Sequence, residues 1–434
     1  MKRSVFLPGF LLLLVIIAVH WQISWDGDDA WFQNMELSIP FFKERYERWS
    51  SRLLIEVVYI FFLKYAGFEL WRIANIIVMW LLCRLLVLLA CPRDQQARGM
   101  WWMFFIAMCF PLYILHTAGW GATMAFYLWP GTAFLIALLP LKWFLEEGSG
   151  WQPDWRAACA IIATLPAMAF AVNFEQGWLM FCGIWMISLM LLRHHRAARP
   201  LLVVQGIMLA AFLTFVFASP GNFLRTKFSV FVYWQDFQTV NLFDKAVLSF
   251  DNMGMFFLTH ELLMLPLTAA LAVFVWRRRQ DAFFRCIGLL PFLLKTGAML
   301  YAGSQSYHRL LAVRPQTMQS AWETFGLPFE QIATPFTAGH ASAYLPMVAS
   351  LFFFCGILLA LYAYEGPTRR MFCWIVLFLL GIASSCALAL SPTLFASSAR
   401  VFFFQYLALI GIFLSCFVTE GRTPAFLGRR KREF

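Results

Sequence analysis

Long runs of apolar residues, separated by short polar segments, set the pattern of the whole chain. An α-helix needs roughly 17–25 mostly apolar residues to cross a bilayer. Such runs fall at about 5–23, 71–90, 101–115, 130–145, 155–172, 178–192, 200–217, 255–276, 282–301, 343–364, 371–390 and 401–418. The pattern predicts an all-α, polytopic transmembrane helical bundle of about 12–13 spans, with residues 1–434 forming a single membrane-embedded unit.

Composition supports this prediction. The chain is 61% hydrophobic and 13% charged, whereas a soluble domain is about 45–50% apolar and about 25% charged. That balance excludes one water-soluble core. The ten cysteines lie in or beside apolar runs without a CxxC spacing, which favours small buried side chains over a disulfide framework or a metal cluster.

The run Leu53–Ala66 is ambiguous, because it is short for a span and carries Glu56. We assign it to a long first external segment, 24–70, in which it lies in the membrane interface or re-enters the bilayer. The preceding residues interleave charged and aromatic side chains, a pattern typical of interfacial helices. Arg52 and Glu56, four residues apart, have the spacing of a helical ion pair.

The basic residues predict the orientation. The N-terminus, alternate loops and the tail at 419–434 hold 21 of the 34 Lys and Arg residues but only 8 of the 23 Asp and Glu residues. Lys and Arg accumulate in cytoplasmic loops, so both termini are expected in the cytoplasm. The basic runs are short and scattered at loop ends, which argues against nucleic-acid binding.

An acidic cluster follows the first span on the opposite, external side. Asp26, Asp28 and Asp29 fall within four residues, between Trp25 and Trp31. Crowded carboxylates raise one another's pKa, which suits a general base or a divalent-cation site. An ordinary solvated turn with interface-anchoring tryptophans is the alternative.

The other external loops carry amides, aromatic residues and single charges. Their candidates are His116, Trp120, Tyr127, Trp129, Glu175, Asn222, Arg225 and Arg400. His260, Glu261 and Lys295 fall inside predicted spans, where ionisable groups face the protein interior or a water-filled cavity. A long external loop at 302–342 contains Arg309 and has the composition of either a binding lid or a passive connector.

These residue types together suit one substrate class. Arginine binds phosphate oxygens with two parallel hydrogen bonds, aromatic faces suit sugar rings, and apolar walls admit a lipid tail. A polyprenyl-phosphate-linked sugar has all three parts. A carboxylate would deprotonate an acceptor hydroxyl, and arginine would stabilise the departing lipid phosphate.

An acidic cluster directly after the first span, with interfacial helices behind it, resembles the GT-C class of membrane glycosyltransferases. The later motifs Gly119-Trp120-Gly121, Tyr127 to Pro130, Ser219 to Asn222 with Arg225, and Pro392 to Arg400 resemble bacterial Gtr-like glucosyltransferases. The resemblance implies an inverting transferase in the bacterial inner membrane. It would move a sugar, expected to be glucose, from undecaprenyl phosphate to O-antigen or lipopolysaccharide on the periplasmic face.

The resemblance assigns roles to these residues as expectations. The candidate catalytic residues are Asp26, Asp28, Asp29 and Glu175. Asp28 is favoured as the base, with Asp29 orienting it or pairing with an arginine. The donor phosphate group is Arg52, Asn222, Arg225, His260, Lys295, Arg309 and Arg400. The sugar and acceptor group is Trp31, His116, Trp120, Tyr127, Trp129 and Glu261.

The chain departs from the GT-C pattern in its second external loop, which has His116 and no acidic residue. Either Glu175 or Glu56 replaces the missing carboxylate at a divalent cation, Mg²⁺ or Mn²⁺, or the enzyme works without a metal. We favour the metal-independent mechanism, because arginines could neutralise a single lipid phosphate.

Two other functions remain open from sequence. An O-antigen polymerase or ligase also uses polyprenyl lipids, and the loop with Arg309 and Arg314 fits it; a lipid diphosphate donor would distinguish it. A lipid or glycan transporter is the other alternative. Transporters often have repeated halves and midplane sites, but the sequence shows no internal repeat.

Overall fold

The computed structural model describes residues 3–147, 153–311, 345–394, 397 and 399–419, and their regular secondary structure is entirely helical. The α-helices are Arg3–His20, Asp28–Gln33, Ile39–Arg48, Leu53–Phe61, Gly67–Ala90, Gln96–Cys109, Trp120–Thr123, Trp129–Glu147, Trp155–Ala163, Leu165–Val172, Glu175–Leu192, Arg199–Phe217, Pro220–Tyr233, Leu242–Met255, Met264–Arg278, Ala282–Leu311, Leu345–Glu365, Arg369–Cys386 and Phe403–Val418. Short π-helical turns at Phe62–Ala66, Met124–Leu128 and Phe256–His260 continue three of them.

Within the described residues, nine helical stretches are long and apolar enough to cross a membrane, or ten if one bent pair is counted as a span. They are Leu53–Ala90, Trp120–Glu147, Trp155–Val172, Glu175–Leu192, Arg196–Phe217, Ala282–Ala302, Leu345–Glu365, Arg369–Leu390 and Ala399–Val418. The protein is therefore a multi-pass membrane protein built as a polytopic helical bundle, and these stretches contain nine of the predicted spans.

The other three predicted spans differ from expectation. The helix of the first predicted span, Arg3–His20, has 18 residues and ends three residues before the predicted boundary at 23. The run at 101–115 forms a helix only to Cys109, because Pro111 follows and the residue before a proline disfavours helical geometry. The span predicted at 255–276 is broken into Leu242–His260 and Met264–Arg278, which meet at 78°.

The break in that span has a local cause. Glu261 has extended backbone, and its carboxylate accepts hydrogen bonds from the backbone N–H groups of Leu263 and Met264, both at 2.7 Å. Lys295 donates to the carbonyl of Phe257 at 2.9 Å in the preceding π-helical turn. These side chains satisfy backbone groups that a break leaves open inside an apolar environment.

The ambiguous run Leu53–Ala66 is helical and joins the next span in one stretch, Leu53–Ala90, of 38 residues. Gly67 lies at the junction with φ +81°, a conformation that glycine adopts without steric cost. The α-helical part that follows, Gly67–Ala90, has 24 residues and at 1.5 Å per residue is roughly 36 Å long, enough to cross a bilayer core of about 30 Å. The run thus continues directly into the following span, and its expected position in the membrane interface or as a re-entrant segment stays a prediction.

The last helix forms the centre of the bundle. In the most apolar segment of Ala399–Val418, 89% of the residues are buried inside the protein, compared with 17% in that of Ala282–Ala302. A helix that is apolar on all sides is stable only when other helices surround it. Phe403, Phe404 and Tyr406 are almost fully buried. The C-terminal helix therefore holds Arg400, just before it, at a fixed position.

The predicted loop at 302–342 and the predicted tail at 419–434 are described only in part. The loop expected at 302–342 starts later, because the helix that begins at Ala282 continues to Leu311. Residues 312–344, and the tail at 420–434, lie outside the described residues.

Candidate functional site

The acidic cluster is held in place by Asp29, whose side chain is fully buried. Its carboxylate accepts backbone hydrogen bonds from Gly121 at 3.0 Å, Ala122 at 2.7 Å and Asp26 at 3.2 Å. The hydroxyl of Tyr59 donates a further hydrogen bond. Burial raises the pKa of Asp29, and these four donors act in the opposite direction because they favour the carboxylate.

Asp29 therefore joins three separate segments: its own loop, the second loop, which contains Gly119 and Gly121, and the helix that starts at Leu53. Gly119, with φ +100°, lets the second loop approach closely, since a Cβ there would lie 2.4 Å from the carbonyl oxygen of Asp26. Asp29 has no acceptor capacity facing a cavity. The expectation that it orients Asp28 fits this position better than a role as base.

Tyr59 supplies the only side-chain donor to this carboxylate among the described residues, which allows a direct test. We expect Tyr59→Phe to lower the free energy of unfolding by about 1–2 kcal/mol, because one hydrogen bond to a buried charged group is lost while the ring packing stays. Unfolding of the purified protein in mixed micelles measures the change. The matched control is Tyr65→Phe, an exposed tyrosine of the same helical stretch; an equal loss in both variants would refute a specific role for Tyr59.

Asp28 has the opposite environment, although it is the adjacent residue. Its side chain is exposed, and it lines a cavity of about 480 Å³ together with Trp31 and Tyr127. Its backbone N–H donates to the carbonyl of Ala118 at 3.0 Å. The second loop therefore fixes the backbone of Asp28 while its carboxylate stays available.

The same cavity is lined by Arg52, Arg225 and Arg400, which come from three different parts of the chain. Arg52 bonds Glu175 through Nε and Nη2 at 2.8–3.1 Å, and Arg225 Nη2 lies 3.9 Å from the same carboxylate. One carboxylate thus stands between two guanidinium groups. The arrangement leaves positive charge in excess on this wall.

The charge states of these arginines follow from their surroundings. Burial is the largest single influence and lowers the pKa of Arg52, but the charge and hydrogen bonds of Glu175, together with smaller contributions from Tyr127 and Glu56, outweigh it and the pKa is raised. Burial, with repulsion from Arg52, lowers the pKa of Arg225 to about 10. Both side chains are therefore cationic at neutral pH, and Arg225 is the less well compensated of the two.

Arg400 donates to the hydroxyl of Thr117 at 3.3 Å and has no carboxylate partner among the described residues. It lies where the first cavity meets a second of about 410 Å³. Both cavities are lined by Arg52, Tyr127, Arg225, Tyr233 and Arg400. They form two lobes of one site, with the arginines on the shared wall.

The two lobes differ in chemistry. The first holds Asp28 and the indole rings of Trp31 and Trp49. The second is bounded by Leu388 and Leu390 and by the hydroxyl groups of Ser391, Thr393 and Ser397. A cationic wall thus separates a lobe with Asp28 and aromatic rings from one with apolar groups, hydroxyl groups and Glu175.

Glu56 does not pair with Arg52, as their four-residue spacing suggested. It bonds Arg45, with Nε to Oε2 at 2.9 Å and Nη2 to Oε1 at 2.8 Å, and both side chains are buried. Arg52 lies at the N-terminal boundary of its helix and turns to Glu175 instead. Sequence reasoning missed Arg45, since a pair eleven residues apart across a turn has no characteristic spacing.

His116 and Asp26 form a pair beside the cavity: His116 Nε2 lies 2.6 Å from Asp26 Oδ2, and the imidazole stacks on Trp120 at 4.7 Å. Both groups of the pair are partly exposed. Trp120 lines a separate pocket formed with the first helix. Trp120 therefore lines neither lobe of the site, and its sugar-binding role stays a prediction, while its neighbour His116 contacts the acidic loop through Asp26.

The Ile39–Arg48 helix positions the arginines from outside. It packs on the Pro220–Tyr233 helix, where the hydroxyl of Ser219 donates to the carbonyl of Tyr46 at 2.9 Å. A Cβ on Gly221 would lie 2.3 Å from the nitrogen of Trp49, so only glycine permits this approach. The amide of Asn222 donates to Ser51 Oγ and to the Val216 carbonyl, both at 3.0 Å. Asn222 thus fixes the helix that carries Arg225 and does not line either lobe.

Several predicted site residues lie elsewhere. Trp129 donates to Asn75 at 2.8 Å within the bundle. His260, Glu261 and Lys295 cluster at the broken span. None of these four lines either lobe. Their predicted roles stay predictions, and at the broken span the described contacts of Glu261 and Lys295 are to backbone groups.

Arg309 lies in the last turns of the Ala282–Leu311 helix, and its side chain is outside the described residues, as is Arg314. Tyr233, Ser229 and Thr226 line the site but were not predicted. They follow Arg225 along one amphipathic helix, at positions 226, 229 and 233, and this periodicity was the available signal.

No group of three or more His, Cys, Asp and Glu side chains suited to a metal ion occurs among the described residues. Comparison with protein-family models, with curated proteins and with solved structures finds no match to this chain.

Proposed function

We propose that this membrane protein is an inverting glycosyltransferase that moves a sugar from a polyprenyl-phosphate donor to a surface glycan such as lipopolysaccharide O-antigen. The observation that carries the proposal is one cavity lined by Asp28 and by Arg52, Arg225 and Arg400. An exposed carboxylate and three cationic groups in one cavity match the two needs of this reaction, a base and a phosphate site.

The proposed reaction exchanges one bond for another. The Asp28 carboxylate takes the proton of the acceptor hydroxyl, and the resulting oxygen nucleophile attacks the anomeric carbon from the face opposite the leaving group. The bond between the anomeric carbon and the phosphate oxygen breaks, and the lipid phosphate leaves with the bonding electrons. Attack from the opposite face inverts the configuration of the anomeric carbon.

The environment of the arginines supports their role at the leaving group. Charge develops on the phosphate oxygen during bond breaking, and fixed guanidinium donors stabilise it without reorganisation. Glu175 keeps Arg52 and Arg225 side by side. Arg400 has only a hydroxyl partner among the described residues, so its other N–H groups are available to the phosphate.

The two lobes suggest how the substrates divide. We place the acceptor and the transferred sugar in the lobe with Asp28 and Trp31, because aromatic faces pack on sugar rings. We place the first isoprene units of the donor against Leu388 and Leu390 in the other lobe. The lipid phosphate then lies at the arginine wall shared by both.

The proposal includes four expectations about the fold and the membrane orientation of the protein. These are the GT-C fold, a count of about 12–13 spans, residence in the bacterial inner membrane with cytoplasmic termini, and a site that faces the periplasm. The distribution of Lys and Arg supports the orientation. The π-helical turn Met124–Leu128, which contains Tyr127, is consistent with a site here, since such turns often occur at functional positions.

The proposal is tested by an in vitro transfer assay. The purified full-length protein receives undecaprenyl-phosphate-glucose and a panel of lipopolysaccharides, with and without Mg²⁺ or Mn²⁺ and with chelator. A new glycosidic product supports the proposal, and its sensitivity to chelator decides the metal question. Folded protein that transfers from no lipid-monophosphate sugar, but turns over a lipid-diphosphate glycan, would refute it in favour of a polymerase or ligase.

Arg400 offers the cleanest test of the phosphate site. We expect Arg400→Gln to weaken binding of the polyprenyl-phosphate donor by about 10- to 100-fold, because hydrogen bonds to charged groups contribute about 1.5–3 kcal/mol. Donor titration followed by tryptophan fluorescence or calorimetry measures this. Arg277→Gln, an exposed arginine that lines neither lobe, is the matched control. Unchanged donor affinity in Arg400→Gln would remove the residue from the phosphate site.

A further inference from the structure

A further cavity of the described structure lies away from the two-lobed site. It is a half-open groove of about 690 Å³ between five helices: Gly67–Ala90, Trp129–Glu147, Glu175–Leu192, Arg369–Cys386 and Phe403–Val418. Its walls are apolar, with Phe134, Met180 and Leu407 at its inner end. This volume falls in the range of about 300–1,000 Å³ typical of ligand sites.

The groove opens at the basic end of the bundle. Four of its helices run toward basic loops and reach the groove with their last turns, as at Ala90, Glu146 and Leu191, while the fifth begins there with Arg369 and Arg370. The distribution of Lys and Arg assigns this end to the cytoplasmic leaflet. The groove therefore faces the acyl chains of that leaflet and ends at the level of its headgroups.

The rim carries a net positive charge. Arg370 bonds the buried carboxylate of Glu365 at 3.1 Å and lies beside the ring of Trp374. Arg369 is exposed, and no carboxylate lies within ion-pair distance of it among the described residues. The acidic rim residue, Glu146, is already paired with Lys142 at 3.2 Å. Arg369 is thus the cation left available to a ligand.

We propose that this groove binds an anionic glycerophospholipid of the leaflet at the basic end, with its acyl chains between the five helices and its phosphate at Arg369 and Arg370. On binding, the acyl chains exchange contacts with other lipids for close packing against Phe134 and Leu407. The arginines select for negative charge, because a basic side chain near an anionic headgroup contributes favourable electrostatic energy. A zwitterionic lipid has the same acyl chains but lacks this favourable electrostatic energy.

The groove also connects to the two-lobed site through shared helices. The helix from Glu175, whose first residue holds Arg52, and the helix that follows Arg400 both line the groove with their opposite ends. A bound lipid would brace these helices against one another. The proposal itself concerns binding and does not depend on the reaction catalysed at the other end.

Native mass spectrometry of the full chain in detergent, titrated with phosphatidylglycerol, phosphatidylcholine or undecaprenyl phosphate, tests the proposal. We expect phosphatidylglycerol to bind more tightly than phosphatidylcholine, and Arg369→Gln to reduce that preference by roughly fivefold. Gly411→Leu should abolish binding of both phospholipids, because Gly411 lines the groove and its Cβ position is uncrowded. Arg277→Gln, an arginine of the same basic end outside the groove, should leave the preference intact.

Three results would overturn the proposal. The first is equal affinity for both phospholipids in the unmodified protein. The second is an equal loss of preference in Arg277→Gln and Arg369→Gln, which would indicate general surface charge. The third is binding of undecaprenyl phosphate that displaces phosphatidylglycerol and is abolished by Gly411→Leu, which would identify a polyprenyl lipid as the occupant. Thermal unfolding verifies that each variant is folded.

Discussion

Asp28→Asn is expected to lower the rate of sugar transfer by about 10²- to 10⁴-fold, the usual contribution of a general base. The amide has the shape of the carboxylate but accepts no proton at neutral pH. Because Asp28 is exposed to the cavity, the loss should appear in kcat with little change in donor affinity or in the midpoint of thermal unfolding. Single-turnover transfer from undecaprenyl-phosphate-glucose measures the chemical step directly.

The control for this prediction is Glu47→Gln. Glu47 is an exposed carboxylate of the amphipathic helix Ile39–Arg48, and it lines neither lobe. It should transfer sugar at the unmodified rate. Full turnover by Asp28→Asn would eliminate Asp28 as the base and leave the partly exposed pair of Asp26 and His116 as the next group to test.

The neighbouring substitution, Asp29→Ala, is expected to act on folding. Its carboxylate accepts three backbone N–H groups and the hydroxyl of Tyr59, all without solvent. Each donor left unsatisfied in a buried site costs about 1–3 kcal/mol, so we expect the free energy of unfolding to fall by about 3–5 kcal/mol. Unfolding in mixed micelles measures the loss.

Asp28→Ala is the matched control, because it removes the adjacent carboxylate from an exposed position. It should unfold like the unmodified protein although it transfers no sugar. Asp29→Asn should be intermediate, since the amide keeps one acceptor oxygen. If Asp29→Ala were as stable as Asp28→Ala, the four hydrogen bonds would not hold the two external loops together.

The two substitutions together distinguish the proposed catalytic role of Asp28 from the structural role of Asp29. Adjacent side chains of a helical segment diverge, so the sequence predicts that at most one of them faces the acceptor. The structure places Asp28 on the cavity and Asp29 in the interior. The favoured choice of Asp28 as base now has a physical reason, which the kinetic comparison tests.

The sequence alone determined the class of the protein and the position of most spans. Burying one run such as 401–418 removes so much apolar surface from water that its helical, membrane-embedded state follows from composition and length. Short polar interruptions were harder to interpret. Glu261 breaks a span by capping the second helix, whereas Glu56 leaves its helix intact because Arg45 neutralises it.

Only the tertiary structure decided which charges meet. Arg52 pairs with Glu175 across 123 positions, and Arg400 reaches Thr117 across 283. Sequence pattern reports the face and the side of the membrane on which a residue lies, because helical period and bilayer thickness are local constraints. Ion pairs, cavities and the apolar groove arise where separate helices pack together. The strength of an ion pair depends on the distance between its charges and on their burial, and no local sequence pattern encodes either quantity.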